Sequence, residues 1–291
     1  MATTNPNAPR KQKGSGLRPD FATLGGLALA FGGILGGLLL EGGKLADVAQ
    51  LTAAMIVLGG TLGAVMVTTP INALLGAARK ISLVFFDRNQ ETAAVVEEII
   101  GYATKARKNG LVSLEEEAQA VDDPFLRKAL NLAVDGTDLQ EIRKMMELEI
   151  AVEEHRFEAE AKVYEAAGGY APTIGIIGAV LGLIQVMKHL EDIKEVGAGI
   201  AVAFVATVYG VGTANIFFLP AAQKLRARAH SVMEMRELVL EGVIGIVEGL
   251  NPKLLRVKLE AFSREQGATK PAKGKKIPAA EAAGEPAPAQ R

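Results

Sequence analysis

The sequence predicts an all-α integral membrane protein. It has four transmembrane helices, a large helical cytoplasmic domain between the second and third spans, and cytoplasmic extensions of the third and fourth. Three observations predict this. Long uncharged apolar runs occupy 21–40, 51–78, 166–187 and 196–223. The polar stretch between the second and third runs carries apolar residues at helical spacing. No stretch shows the two-residue alternation of a half-buried strand.

Each apolar run is long enough to span. A helix rises about 1.5 Å per residue, so roughly 20 residues cross a hydrocarbon core of about 30 Å. The second run is interrupted by Pro70 and the fourth by Pro220. Four such runs are too many to hide as core helices in a small globule. A cleaved signal peptide fits poorly, because the first run is too long and lacks a small-residue cleavage site.

Lys and Arg near the span ends set the orientation. Arg10, Lys11, Lys13 and Arg18 precede the first run; Arg79, Lys80 and Arg88 follow the second; Lys224, Arg226 and Arg228 follow the fourth. The two short links, "EGGKLADVAQ" and "KHLEDIKE", hold fewer bases and carry acids as well. Both termini and the 71–167 domain are therefore expected inside. The divisions are 1–20, a cytoplasmic N-terminus; 21–70, the first two spans; 71–167, the helical domain; 168–222, the last two spans; 223–262, a cytoplasmic helix; and 263–291, a tail. Residues 1–16 and the Pro-, Ala- and Lys-rich tail have the composition of disordered chain.

Within 71–167, "ETAAVVEEIIGYATKARKNG" puts Val95, Val96, Ile99, Tyr102 and Ala103 on one helical face, with Gly110 as a stop. In "DDPFLRKALNLAVDG", Asp123 is an N-cap, Pro124 takes the first helical position and Gly136 terminates. Asp138, with Glu141 three residues on, starts a long helix that feeds the third span. After the fourth span, 225–250 is helical again.

Composition excludes several functions. Net charge is −1, which leaves no nucleic-acid footprint, and the absence of cysteine rules out disulfides and thiolate metal sites. His155, His189 and His230 are scattered and lie at no metal-motif spacing. No hydrolytic constellation, metal site or cofactor loop is present, so neither an enzyme nor a cofactor is expected. A solute transporter would show broken helices or buried polar groups at a substrate site. This sequence shows neither.

The spans are rich in small residues that let helices approach closely. Gly175, Gly178, Ala179 and Gly182 share one face of the third; Ala203, Thr207, Gly210 and Ala214 share one face of the fourth. A proton relay needs an ionisable group near the midplane, yet the span interiors contain no Asp, Glu, Lys, Arg or His; they do contain the hydroxyls of Thr61, Thr68, Thr69, Thr173, Thr207 and Thr213. If the two small-residue faces meet, they form a smooth wall with one hydroxyl, Thr207. That threonine either faces an ion path or bonds its own backbone carbonyl. Pro172 and Pro220 sit at the inner ends of the third and fourth spans. They are either helix punctuation or a paired hinge.

"GGYAPTIGIIGAVLGLIQVM", "GAGIAVAFVATVYGVGTANIFFLPAAQKL" and "MIVLGGTLGAVMVTTP" resemble the MotA/TolQ/ExbB ion-channel family, in its flagellar stator branch. The segment "ATKARKNGLVSLEEE" matches the stator pattern of a base, a glycine, a short apolar stretch and an acid. The resemblance covers about residues 20 to 260. It implies a homo-pentameric ring around two copies of a single-span, peptidoglycan-binding MotB-type partner. That partner supplies the membrane aspartate at which ions cross, and the ring drives the rotor protein FliG. The resemblance also implies an ion path at Thr207, Ala179 and Gly178, a conformational hinge at Pro172 and Pro220, and rotor contacts at Arg107 and Glu115. Sodium-type stators carry threonine where this chain has Ala179, so the missing hydroxyl favours protons. The expected setting is the bacterial inner membrane at the flagellar basal body. The alternative, a TolQ- or ExbB-like energiser of outer-membrane processes, typically has three spans rather than four.

Overall fold

The computed structural model describes residues 18–87 and 92–267, with side chains to residue 261. The bases expected at Arg10, Lys11, Lys13 and Arg88, the first sixteen residues and the end of the tail lie outside the described residues. Helix α1 is Phe21–Leu40, α2 Leu45–Thr68, α3 Ile71–Lys80, α4 Thr92–Asn109, α5 Glu115–Ala120 and α6 Pro124–Val134. Helix α7 is Leu139–Lys188, α8 Ile193–Val247 and α9 Pro252–Gly267. Helices α1, α2, α7 and α8 are long and apolar enough to cross a membrane. The only strands among the described residues, β1 (Arg18–Pro19) and β2 (Phe86–Asp87), pair antiparallel.

Local chemistry explains most boundaries. Asp20 starts α1 by accepting from the backbone N–H of Ala22 and Thr23. Pro70 cannot continue the ladder, and Thr69 before it is extended, so α2 ends and α3 begins anew. Asp123 accepts from Phe125 and Leu126 N–H, with Pro124 at the first position of α6. Gly110 and Gly136 both adopt positive φ where helices stop. The last helix runs beyond Ser263 to Gly267, anchored by buried Leu255 and Leu259.

Helix α7 is one uninterrupted element of 50 residues. Its lower half shares a single core with α4, α6, the lower part of α8 and α9. Ile99, Leu130, Ile142, Met146, Leu238, Ile244 and Leu255 are fully buried there. Arg256 reaches from α9 to Glu97 on α4, and its hydrogen bond holds that carboxyl below the usual range. The membrane-level half is thin. No residue of α1 is buried within the chain, whereas α7 and α8 pack along their whole shared length.

Two polar joints tie the layers together. Asp20 meets Lys224 and Arg228 of α8, and Arg228 also meets Asp87. The hydrogen bond from Lys224 outweighs burial, and with help from the Thr23 amide and Arg228 it lowers Asp20 to about 2. In the second joint, Glu160 of α7 is buried against α3. Its carboxylate lies 2.7 Å from Lys80 and 3.5 Å from Arg156, and the Lys80 ammonium sits 3.2 Å from the centre of the Phe157 ring. One turn further, the Tyr164 hydroxyl donates to the Ala77 carbonyl at 2.8 Å.

Candidate functional site

The small-residue faces of α7 and α8 do meet, and they close on one another. A Cβ added at Gly175 would lie 2.9 Å from the Ala206 carbonyl oxygen, and one at Gly182 would lie 2.8 Å from the Ala203 nitrogen. Gly210 lies so close to Ala171 that a Cβ would reach its carbonyl oxygen at 2.6 Å. Gly178 is buried against Ala206 of α8 and Ile56 of α2. The glycines therefore form a packed seam, with no room for an ion between them. Ala179 and Thr207 are only half-buried, at the edge of that seam.

The hydroxyls are mostly turned inward to their own helices. Thr207 donates to Ala203 at 3.1 Å, Thr213 to Tyr209 at 2.6 Å, Thr173 to Tyr170 at 2.8 Å and Thr68 to Ala64 at 3.1 Å. The buried Thr61 hydroxyl has no partner among the described residues. Tyr209 is a polar tie that sequence reading missed. Its hydroxyl donates to the Val48 carbonyl at 2.5 Å and accepts from Gln50 N–H at 3.3 Å, which fastens α8 to the start of α2. Only a pairing across 161 positions defines it, and no local pattern announces that.

Neither proline ends its helix. Pro172 lies inside α7, and Pro220 lies inside α8 just after a π-helical turn at Thr213–Phe218. A proline lacks the N–H that would bond four residues back. Near the π turn, Thr213 and Asn215 donate side chains to the Tyr209 and Val211 carbonyls. The two proline turns also touch, because Gly168, four residues before Pro172, packs against Leu219, just before Pro220.

Arg107 and Glu115 flank the corner between α4 and α5. Both are exposed, and among the described residues neither joins an ion pair. The chain between them runs from Gly110, with φ +84°, through a 3₁₀ turn at Leu111–Leu114. The pair the corner does contain is Lys105 with Glu117.

The sequence matches two family models. Residues 117–238 match the MotA/TolQ/ExbB proton channel family, and residues 24–109 match the Motility protein A N-terminal family. Motility protein A of Bacillus subtilis is 36% identical over 244 residues, which is 82% of this chain and 89% of that protein. The structure of MotAB from C. jejuni superposes with a TM-score of 0.79 at 32% identity, covering 84% of this chain and 95% of that one. The flagellar MotAB stator complex from Bacillus subtilis gives 0.78 at 33% identity, with coverage of 87% and 100%. Four spans, a helical domain between the second and third, and similarity along most of the chain lead to one conclusion: the protein belongs to the MotA/TolQ/ExbB proton channel family.

Proposed function

We propose that this chain is a flagellar motor stator subunit. With a MotB-type single-span partner, it conducts protons across the bacterial inner membrane and turns the flux into torque on the rotor protein FliG. One observation carries the reading. Its span interiors hold no Asp, Glu, Lys, Arg or His, and its own glycine seam is closed. An ion path then requires a carboxylate from outside, which a partner helix would bring to the edge where Thr207 and Ala179 lie. Gly178 acts behind that edge by letting α7 and α8 approach.

The similarity to Motility protein A and to MotAB stator structures supports the stator branch, and four spans favour it over a TolQ- or ExbB-like energiser. In this reading five copies encircle two partner helices, both termini face the cytoplasm, and no covalent chemistry occurs. The contacting proline turns at Pro172 and Pro220 form the hinge between the bilayer and the helical domain. Arg107 and Glu115 face the rotor. One charge crossing 100 mV releases about 2.3 kcal/mol, while an exposed charge pair contributes about 0–1 kcal/mol. Contacts that weak can be made and broken within a single passage.

Reconstitution tests this directly. Liposomes holding the chain alone should show no proton flux above that of empty liposomes. Adding a partner with an intact membrane aspartate should produce flux, and an Asp→Asn partner should not. Conduction by the chain alone would overturn the reading.

A further inference from the structure

We infer that Val112 is the apolar centre of the rotor-facing corner, and that the surface it fits is an apolar recess set between an acidic and a basic group. This rests on the reading above that the corner bearing Arg107 and Glu115 meets the rotor. Val112 is 69% exposed. Single exposed apolar residues are common on any protein and by themselves mean nothing. What sets this one apart is how it is held and what surrounds it.

The turn that carries Val112 is held by burial and hydrogen bonds on both sides. Leu114 is fully buried beneath it and Leu111 half-buried. The backbone N–H and hydroxyl of Ser113 both donate to the Gly110 carbonyl, at 3.2 and 2.7 Å. Gly110 supplies the positive φ that ends α4 and starts the turn. Val112 is thus presented with little freedom left to lose on binding.

The charges around it are sorted. Lys105 and Glu117 pair with each other and are used up inside the corner. Exposed Arg107 and Lys108 precede the turn, and exposed Glu115 and Glu116 follow it. None of these four joins an ion pair among the described residues. An apolar centre inside a charged rim is how interface hot spots exclude water. The complementary face would place an acid against Arg107 and Lys108, a base against Glu115 and Glu116, and an apolar hollow between them.

Motile cells carrying the full chain with its partner provide the test. Val112→Asp is expected to reduce torque at high load at least fivefold, while Val112→Leu stays within twofold of the parent. The purified complex, which contains no rotor, should keep its proton flux with Val112→Asp. If Val112→Asp retains parental torque while Arg107→Glu is defective, this inference falls and the rotor-facing reading stands. If Arg107→Glu combined with Glu115→Lys also leaves torque unchanged, both fall. Should Val112→Asp lower flux in the purified complex, Val112→Cys decides the matter, since the chain has no other thiol. A charged thiol reagent must then lower torque in permeabilised cells, and an uncharged one of similar size must not. Equal responses overturn the inference.

Discussion

Glu160 is the one buried carboxylate among the described residues, and it joins two helices, α3 and α7, that are far apart in the sequence. A buried ion pair adds little net stability, because desolvating both charges offsets their attraction. Removing one partner is different, since it strands the other charge out of water. Glu160→Ala leaves Lys80 with Glu153 alone, 3.9 Å away, and should cost about 3 kcal/mol, the low end for a broken buried pair. Thermal melting in detergent checks this, and Lys80→Met in the same background should recover part of the loss. Unchanged melting would mean that Lys80 escapes to solvent past Phe157. Nothing in the local sequence marks this pair. Arg79 and Lys80 read simply as positive residues after a span, and Glu160 as one acid among many on a charged helix. The partner choice is made by Gly76, whose bare backbone leaves room for the carboxylate against α3.

At the level of helices, the seam between α7 and α8 is set by backbone against backbone. Gly210 faces the Ala171 carbonyl and the Gly175 Cα, neither of which can swing aside as a side chain could. Gly210→Ala should force the pair apart and cost about 1–3 kcal/mol. Gly212→Ala makes the matched control, since nothing lies within 4 Å of the added methyl and stability should hold. Melting curves of the two variants that coincide would show the seam to be looser than drawn. The helices were legible in the sequence because their signals are local: uncharged runs for the spans, Asp123 with Pro124 for α6, Gly110 and Gly136 for stops. The seam was legible as a set of small faces, though not as a closed contact. Whether Gly178 lines a space or fills one depends on where Ala206 and Ile56 arrive, and spacing along one helix cannot say. The prolines mislead in the same way. Each removes a donor, yet the helix continues through it.

For the molecule as a whole, the sorting of surfaces matters most. The domain has a dense core of its own, while the four spans leave most of their apolar surface to lipid, to other copies or to a partner helix. That division was plain in the sequence, because apolar residues gather in runs while the domain shows helical periodicity. The proposed path for ions was not, since no Asp, Glu, Lys, Arg or His lies inside the four apolar runs. Ion choice is a property of the assembly. On the proposed path Ala179 offers no side-chain oxygen to replace sodium's hydration shell, so motor speed should follow the proton gradient. Swimming should collapse with a proton uncoupler and be indifferent to replacing sodium with potassium. A motor that slowed with sodium removal and ignored the uncoupler would reverse that assignment.

The unbroken length of α7 has a consequence for how its gene can change. One inserted codon between Glu160 and Pro172 would turn everything on one side of it through about 100° and displace it by about 1.5 Å. The Lys80 pairing and the glycine seam would then point in different directions. About seven codons, close to two full turns, are the smallest addition that restores both bearings. Even then the two contacts would stand about 10 Å further apart along the axis, so the pairing and the seam together fix the length of this rod, whereas the loops on either side can gain single codons without turning either contact.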